Sequence, residues 1–271
     1  MVSARGLFTE ILDDDRSFQL FCSIAASGET QGGWENGRIA ALVPESQRDL
    51  VPKITRHGAD EDKHGRIFGA LMRRRGLDPV PVPSETDYTM LLERAGIGLA
   101  HSRLKRDEPL TELDIITYLA HSRVTEQRAS EQMALLVKHF ADHPEVGKAV
   151  RAISHDEDNH LAYCHEELLR FARVGHGRTI QRILRDCALA EIRVYRDVSL
   201  AVMDHMGRVL GWSAPKAAVL RLGIRAVYAY ERLGGWRRMV RLAMPERRDA
   251  MGGTPGPPHG PAGADLAPAA P

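Results

Sequence analysis

The feature of this sequence that most constrains its fold is a five-residue pattern that occurs twice. Residues 60–64 and residues 156–160 both read Asp-Glu-Asp-x-His, so each contains a glutamate followed three positions later by a histidine. On an α-helix, residues three apart lie on the same face, where a carboxylate and an imidazole can bind one ion together. One such pair arises easily by chance, but two copies on separate helices indicate a built site.

Both patterns fall on predicted helices whose other positions on the same face are apolar. The first stripe includes Leu50, Ile54, Phe68 and Leu71, and the second includes Val150, Ile153, Leu168 and Phe171. Such a stripe predicts that this face is turned toward the core. Buried charges are costly unless they are paired or coordinated. Metal ions would explain why two glutamate–histidine pairs lie on these faces.

Two further glutamates occupy the apolar stripes of neighbouring predicted helices. On the first helix Glu29 lies on the stripe while Glu35 does not, and on the third helix Glu126 does while Glu131 does not. Nearly the same number of residues separates each chosen glutamate from the Glu-x-x-His that follows it. In both helix pairs the glutamate is therefore predicted to lie opposite Glu-x-x-His.

The distribution of helix-start and helix-stop residues predicts an all-α fold. Alternating strand-like runs are missing, while helix caps and breaks are frequent. Helices are predicted at residues 16–43, 50–75, 111–141, 144–174, 179–209 and 213–234, with a long crossover at 77–110 that contains a short helix at 84–95. We expect a bundle over residues 1–174 and additional C-terminal helices packed on it over 175–249. Residues 250–271 are rich in Pro, Gly and Ala and are expected to be disordered.

Composition argues against several classes of protein. The net charge of +1 gives no general attraction to nucleic acid or acidic lipid. Cys22, Cys164 and Cys187 are far apart, which disfavours a disulfide framework or a thiolate zinc site. No secretion signal and no apolar run of about 18 residues is evident. A cytoplasmic protein is therefore expected.

Four helices that carry Glu, Glu-x-x-His, Glu and Glu-x-x-His, with a long crossover, resemble the ferritin-like di-iron carboxylate superfamily of rubrerythrin-like and di-iron oxygenase-like proteins. The resemblance covers about residues 16–174. It implies an antiparallel four-helix bundle and two iron ions, with manganese or a mixed pair as the alternative. It implies that Glu61 and Glu157 bridge the ions. The implied metal ligands are Glu29, Glu61, His64, Glu126, Glu157 and His160.

Other residues near these positions have more than one interpretation. Asp60 and Asp156 each lie four residues before a ligand histidine, and we expect them to accept hydrogen bonds from the imidazoles, including across the helix pair. His57 is interpreted as a core histidine, with an additional ligand or a proton relay as the alternative. Tyr118 and Tyr163 are interpreted as packing residues rather than as a radical site or hydrogen-bond donors.

Three glycines, Gly28, Gly32 and Gly33, flank Glu29 on the first predicted helix. Glycine weakens a helix, so its presence there needs a reason. Close helix packing, a local distortion and access for a substrate are all consistent with the sequence.

The resemblance implies oxidation chemistry driven by dioxygen or peroxide. We expect an oxidoreductase of oxidase or hydroxylase type that activates dioxygen on a small organic substrate, with electrons from an external donor. The crossover and the C-terminal helices favour this function because they can form a substrate pocket. The alternatives are rubrerythrin-like peroxide reduction, ferroxidase activity and non-enzymatic iron binding.

The segment 214–241 predicts a basic amphipathic helix in which arginines alternate with apolar residues. Packing of its apolar side on the bundle is the favoured interpretation. Binding to a membrane surface or to RNA phosphates is the alternative. Assembly as a homodimer is also compatible with the sequence.

Overall fold

The computed structural model describes residues 3–242, and every regular element in this range is helical, without a β-strand. The predicted all-α class is therefore confirmed for the described residues, while the predicted tail at 250–271 lies outside them. The α-helices are α1 (Ala4–Asp13), α2 (Asp15–Leu42), α3 (Val51–Arg74), α4 (Tyr88–Arg94), α5 (His101–Leu104), α6 (Glu112–Phe140), α7 (Gly147–Phe171), α8 (Gly177–Val209) and α9 (Ala214–Leu233). Shorter helical turns cover Glu45–Leu50, Ser84–Thr86, Ala172–His176 and Gly235–Arg238.

The six long helices begin and end close to their predicted residues, and the differences lie in short elements. Helix α1 was not predicted, since the first helix was expected to begin at residue 16. Asp14 does cap α2 by accepting a hydrogen bond from the Ser17 amide at 2.8 Å, but it also ends α1. The helix predicted at 84–95 is divided, because Asp87 caps a new helix at the Met90 amide, 3.0 Å away.

Helices α2 and α3 lie antiparallel and very close together, because glycines line their contact. A Cβ atom added to Gly58 of α3 would lie only 3.2 Å from the carbonyl oxygen of Gly33 on α2. At Gly65 the added atom would lie 2.9 Å from the Thr30 hydroxyl oxygen. This close approach places Glu29 of α2 beside the Glu-x-x-His of α3. Close packing is thus one reason for the glycines near Glu29.

Helices α6 and α7 form a second antiparallel pair that packs against the first. Tyr118 of α6 donates a hydrogen bond to Asn36 Oδ1 of α2 at 2.6 Å, and His57 of α3 stacks on His160 of α7 with ring centroids 3.9 Å apart. Apolar clusters fill the space on both sides of these polar contacts. One contains Ile54, Leu119 and Leu168, and the other contains Phe18, Phe68 and Ile153. The polar residues of the two repeated patterns lie between these clusters.

The two helices after residue 174 differ in how they pack on the α2–α3 and α6–α7 pairs. Helix α8 contacts α6 and the crossover helix α4, whereas α9 packs mainly on α8, where Tyr228 lies over the guanidinium of Arg196 at 4.4 Å. The opposite side of α9 is exposed, with 67 % of Leu222 and 82 % of Leu233 accessible. Packing on the remainder of the protein therefore uses one side of α9 only. Within residues 3–242, no helix has both the length and the apolar content needed to cross a bilayer.

Candidate metal centre

The first group of potential ligands comes from α2, α3 and α7. Glu29, Glu61, His64 and Glu157 each offer a donor atom, and these atoms all lie within 4.8 Å of one another. Nδ1 of His64 is 3.3 Å from Glu29 Oε2 and 3.5 Å from Glu157 Oε1. The His64 side chain is fully buried. Three carboxylates and an imidazole in this arrangement suit a divalent transition-metal ion.

The second group comes from α3, α6 and α7 and has Glu61 in common with the first. Its members are His57, Glu61, Glu126 and His160, and their donor atoms again lie within 4.8 Å of one another. Nδ1 of His160 is 3.6 Å from Glu61 Oε1 and 3.7 Å from Glu126 Oε2. One carboxylate thus lies between two adjacent ligand groups.

The structure brings together all six residues that the sequence predicts as ligands. Glu29 and His64 lie in one group, and Glu126 and His160 in the other. Glu61 belongs to both groups, whereas Glu157 belongs to the first and has its Oε2 4.0 Å from His160 Nδ1. Metal binding by these residues stays a prediction.

His57 was interpreted as a core histidine, but its side chain faces carboxylates of the second ligand group. Its side chain is buried, but Nε2 points at two carboxylates, 3.0 Å from Glu61 Oε1 and 3.3 Å from Glu126 Oε1. A signal was available in the sequence, because His57 lies one turn before Glu61 on the same stripe. Helical periodicity alone cannot distinguish a hydrogen-bonded core histidine from a histidine that faces a metal.

The carboxylates perturb one another strongly. Burial, together with the charge of neighbouring glutamates, raises the pKa of Glu29 and of Glu157 well above the usual range. Burial also acts to raise the pKa of Glu61 and of Glu126, but the proximity of His57 outweighs it and lowers both values. Glu29 and Glu157 therefore favour their neutral forms in the metal-free site, and a bound cation would displace their protons.

Unsatisfied atoms in the same place also fit a metal centre. Both ring nitrogens of His160 and the Oδ2 atom of Asp60 are buried and have no hydrogen-bond partner. Buried polar atoms without partners are uncommon in native proteins. An ion at Nδ1 of His160 would supply the missing interaction there. The donor set and its unsatisfied nitrogen therefore fit the metal that the sequence pattern implies.

Asp60 and Asp156 lie on the side of the histidines that faces away from the ligand groups. Each aspartate approaches the histidine of the other helix. Asp156 Oδ2 of α7 is 3.0 Å from Nε2 of His64 on α3, and Asp60 Oδ2 of α3 is 3.5 Å from Nε2 of His160 on α7. Lys63 lies between the aspartates, 2.7 Å from Asp60 Oδ1 and 2.6 Å from Asp156 Oδ2. No pattern in the sequence singles out Lys63, because its role depends on the approach of α7.

The two glutamates rejected on periodicity have other partners. Glu35 Oε1 lies 2.6 Å from Nε2 of His101 in the crossover, and Glu131 Oε1 accepts a hydrogen bond from Nε of Arg238 at 2.7 Å. Neither residue belongs to a ligand group within the described residues.

Tyr118 and Tyr163 are hydrogen-bonded to the site, beyond the packing role that the sequence suggested. The Tyr163 hydroxyl is 2.7 Å from Nδ1 of His57 and 2.6 Å from the Tyr118 hydroxyl. Burial raises the pKa of both phenols well above the usual range, so both keep their protons at neutral pH. This chain of polar atoms leads from His57 to the partly buried Tyr163.

A cavity of about 360 Å³ reaches the ligand groups from one side. Glu29, Glu61, Glu126 and Glu157 are among its lining residues, and so are residues of the crossover and of α8. Cavities of about 300–1,000 Å³ commonly hold small molecules. The expectation that the crossover and C-terminal helices contribute to a pocket matches this position.

Glycines keep the wall of this cavity open. A Cβ atom on Gly32 would lie 3.3 Å from Glu61 Oε2, whereas one on Gly28 would meet no atom within 4 Å. Both glycines line the cavity. Gly32 thus leaves room for a ligand carboxylate and Gly28 leaves space beside it, while Gly33 serves the packing of α2 on α3.

One lining residue of the cavity, Arg128, takes part in a buried ion pair. Arg128 of α6 donates from Nε and Nη2 to the two carboxylate oxygens of Glu191, both at 2.8 Å, and from Nη1 to Glu231 at 3.2 Å. Tyr195 lies against this guanidinium, with its ring centroid 4.1 Å from Cζ. Glu191 is fully buried, so this ion pair belongs to the interior of the protein and not to its surface.

Comparisons of the chain with protein-family models, with curated proteins and with solved structures find no match. Assignment of a function therefore depends on the geometry and chemistry of the residues described above.

Proposed function

We propose that this chain is a di-iron oxidoreductase with a ferritin-like four-helix bundle, in which α2, α3, α6 and α7 hold two ions and dioxygen is used to oxidise a small organic substrate. The observation that carries the proposal is the pair of ligand groups that share Glu61 beside a cavity. Two antiparallel helix pairs with a long crossover support the ferritin-like assignment.

The charge and type of the donors support two divalent ions of the iron or manganese kind. Glu29, Glu61, Glu126 and Glu157 together offer four negative charges, which two divalent cations would balance. Imidazoles on both groups favour iron or manganese over calcium, which prefers oxygen ligands alone. Glu29, Glu61, His64 and Glu157 would hold one ion, and His57, Glu61, Glu126 and His160 the other.

Reduced iron, when bound, would supply the electrons and open positions needed to activate dioxygen. The protein residues orient and protect this chemistry. Asp156 accepts a hydrogen bond from the outer nitrogen of His64 and so orients its ring, Asp60 faces the outer nitrogen of His160 at 3.5 Å, and Lys63 holds the two aspartates together. The apolar residues of the cavity would limit the access of water to the side of the ligand groups that faces the cavity.

A hydroxylation written in full needs an external reductant. One substrate C–H bond, one dioxygen molecule, two electrons and two protons give an alcohol and one water. The electrons would come from a donor protein or small reductant. Tyr163 and His57 form a hydrogen-bonded path along which a proton can move between the partly buried phenol and the ligand group.

The test is to count metal ions and follow their oxidation. The wild-type protein, loaded anaerobically with ferrous iron and desalted, is expected to retain two irons per chain by elemental analysis. Glu61→Gln and Glu157→Gln are expected to retain less than half of this, because each replaces an anionic donor by a neutral one. Glu166→Gln, on the exposed face of α7, is the matched control.

Stopped-flow absorbance after mixing the loaded protein with oxygen or peroxide then distinguishes the reactions. Rapid oxidation by oxygen is expected. Oxidation by peroxide alone would favour the rubrerythrin-like alternative, and uptake of many irons into a large particle would favour storage. Equal iron retention by wild-type protein and both ligand variants would overturn the metal site.

A further inference from the structure

The cavity beside the ligand groups has a mostly apolar interior. Aliphatic side chains from α2, the crossover and α8 form much of its wall, among them Ile24, Ile39, Val82, Leu92, Leu99 and Val198. Such a surface gains free energy when it covers apolar groups of a ligand. The occupant is therefore expected to bury mainly carbon atoms.

The residues that line the cavity offer few charged groups that could bind an anionic ligand. Among the described lining residues, Arg128 is the only arginine or lysine, and its guanidinium is already bound by Glu191 and Glu231. Glu35, an acid in the lining, is likewise paired with His101. A carboxylate or phosphate would find no free cation here, and it would approach the glutamates of the ligand groups. An anionic occupant is therefore disfavoured.

One buried side-chain nitrogen in the lining has no hydrogen-bond partner among the described residues. Nε2 of His121 is buried and makes no hydrogen bond, and the residue lines the cavity from α6. Burial lowers the pKa of this imidazole, so the ring is neutral and can donate or accept a hydrogen bond. His121 precedes Glu126 by five residues, or about 7.5 Å along the helix. A group bound to His121 would thus lie a few carbon–carbon bonds from the ligand groups.

We propose that this cavity binds a neutral, largely apolar organic molecule whose single hydroxyl or carbonyl group hydrogen-bonds to Nε2 of His121. The carbon chain packs on the aliphatic wall and extends toward Glu126. The inference deepens the proposed function, since the molecule would be the substrate, but binding does not require that the ions be present.

The test compares two soluble probes of equal chain length, 1-octanol and octanoate, by calorimetric titration of the full chain. Octanol is expected to bind at least about tenfold more tightly than octanoate, because the anion loses hydration without gaining a charged partner. His121→Phe, which keeps the ring size, is expected to weaken octanol binding about tenfold. His139→Phe, on the same helix but outside the cavity, is the control.

A second variant locates binding in the cavity independently of His121. Val198→Trp on α8 fills the lining without touching a ligand residue and is expected to abolish octanol binding. Iron retention by the His121 and Val198 variants should equal that of the wild type, which separates this inference from the metal site. Tighter binding of octanoate, or unchanged octanol affinity in His121→Phe or Val198→Trp, would overturn the proposal.

Discussion

At the scale of single residues, the candidate metal centre depends on how its carboxylates and His57 balance one another's charge. Glu61 belongs to both ligand groups, and His57 lies between Glu61 and Glu126. Without an ion, a protonated His57 supplies positive charge to these carboxylates. Burial acts to lower the pKa of His57, but the charges and hydrogen bonds of Glu126 and Glu61 outweigh it and raise the pKa to about 10.

This pKa predicts how the stability of the metal-free protein depends on pH. A raised folded-state pKa means that protonation of His57 stabilises the fold fully below its unfolded value near 6.5, and that this contribution is lost as the pH rises toward about 10. His57→Gln is therefore expected to lower the free energy of unfolding by about 3 kcal/mol near pH 6 and by much less near pH 10.

Urea denaturation of both metal-free proteins at several pH values measures this difference. His139→Gln, a histidine of α6 outside the ligand groups, provides the comparison, and its effect should be small at every pH. A constant loss in His57→Gln across the range would indicate a packing role alone.

At the scale of helices, the contact between α2 and α3 positions half of the ligand residues. Gly33 and Gly58 let the backbones approach until Glu29 of one helix reaches His64 of the other. Periodicity located Glu29 and Glu126, because a helical stripe depends only on neighbouring residues. It did not reveal α1, whose ten residues are too few for a long apolar stripe, and it did not assign Lys63 or His57, whose partners come from other helices.

A side chain at the glycine contact is expected to separate the helices. Gly58→Val would push against the Gly33 carbonyl and the Asn36 side chain, which already lie 3.2 Å and 3.0 Å from an added Cβ. We expect the free energy of unfolding to fall by about 1–3 kcal/mol, with a matching loss of iron retention. Gly28→Ala, where an added Cβ meets nothing, should instead raise stability by up to about 1 kcal/mol.

Chemical denaturation and elemental analysis of both glycine variants test the prediction. If Gly58→Val kept both its stability and its iron, the helices would have to be farther apart than the structure places them.

At the scale of the whole molecule, the ligand groups connect helices that are distant in sequence. The all-α class could be predicted from caps and breaks, and the six predicted ligands from two repeated patterns together with helical periodicity. A pocket near the crossover and the C-terminal helices was expected, but its lining residues could not be predicted, because they come from helices that are distant in sequence. The buried pair of Arg128 and Glu191 was missed for the same reason, since neither residue reveals its partner through local spacing.

Metal binding should therefore stabilise the entire bundle. A ligand that binds only the folded state at about 100 times its Kd adds about 2.7 kcal/mol. For a chain of this size, ferrous iron is expected to raise the Tm by about 5–10 °C. Anaerobic calorimetry with and without a chelator measures the shift, and Glu61→Gln should show little of it. An equal shift in that variant would place the stabilising ion elsewhere.

The cavity wall and the ligand residues come largely from different segments of the chain. Val82, Leu92 and Leu99 belong to the crossover and Val198 belongs to α8, whereas the ligand carboxylates come from α2, α3, α6 and α7. Substrate preference and redox chemistry can therefore be altered separately. Libraries confined to these four wall positions would offer a route to catalysts with new selectivity on an unchanged metal centre.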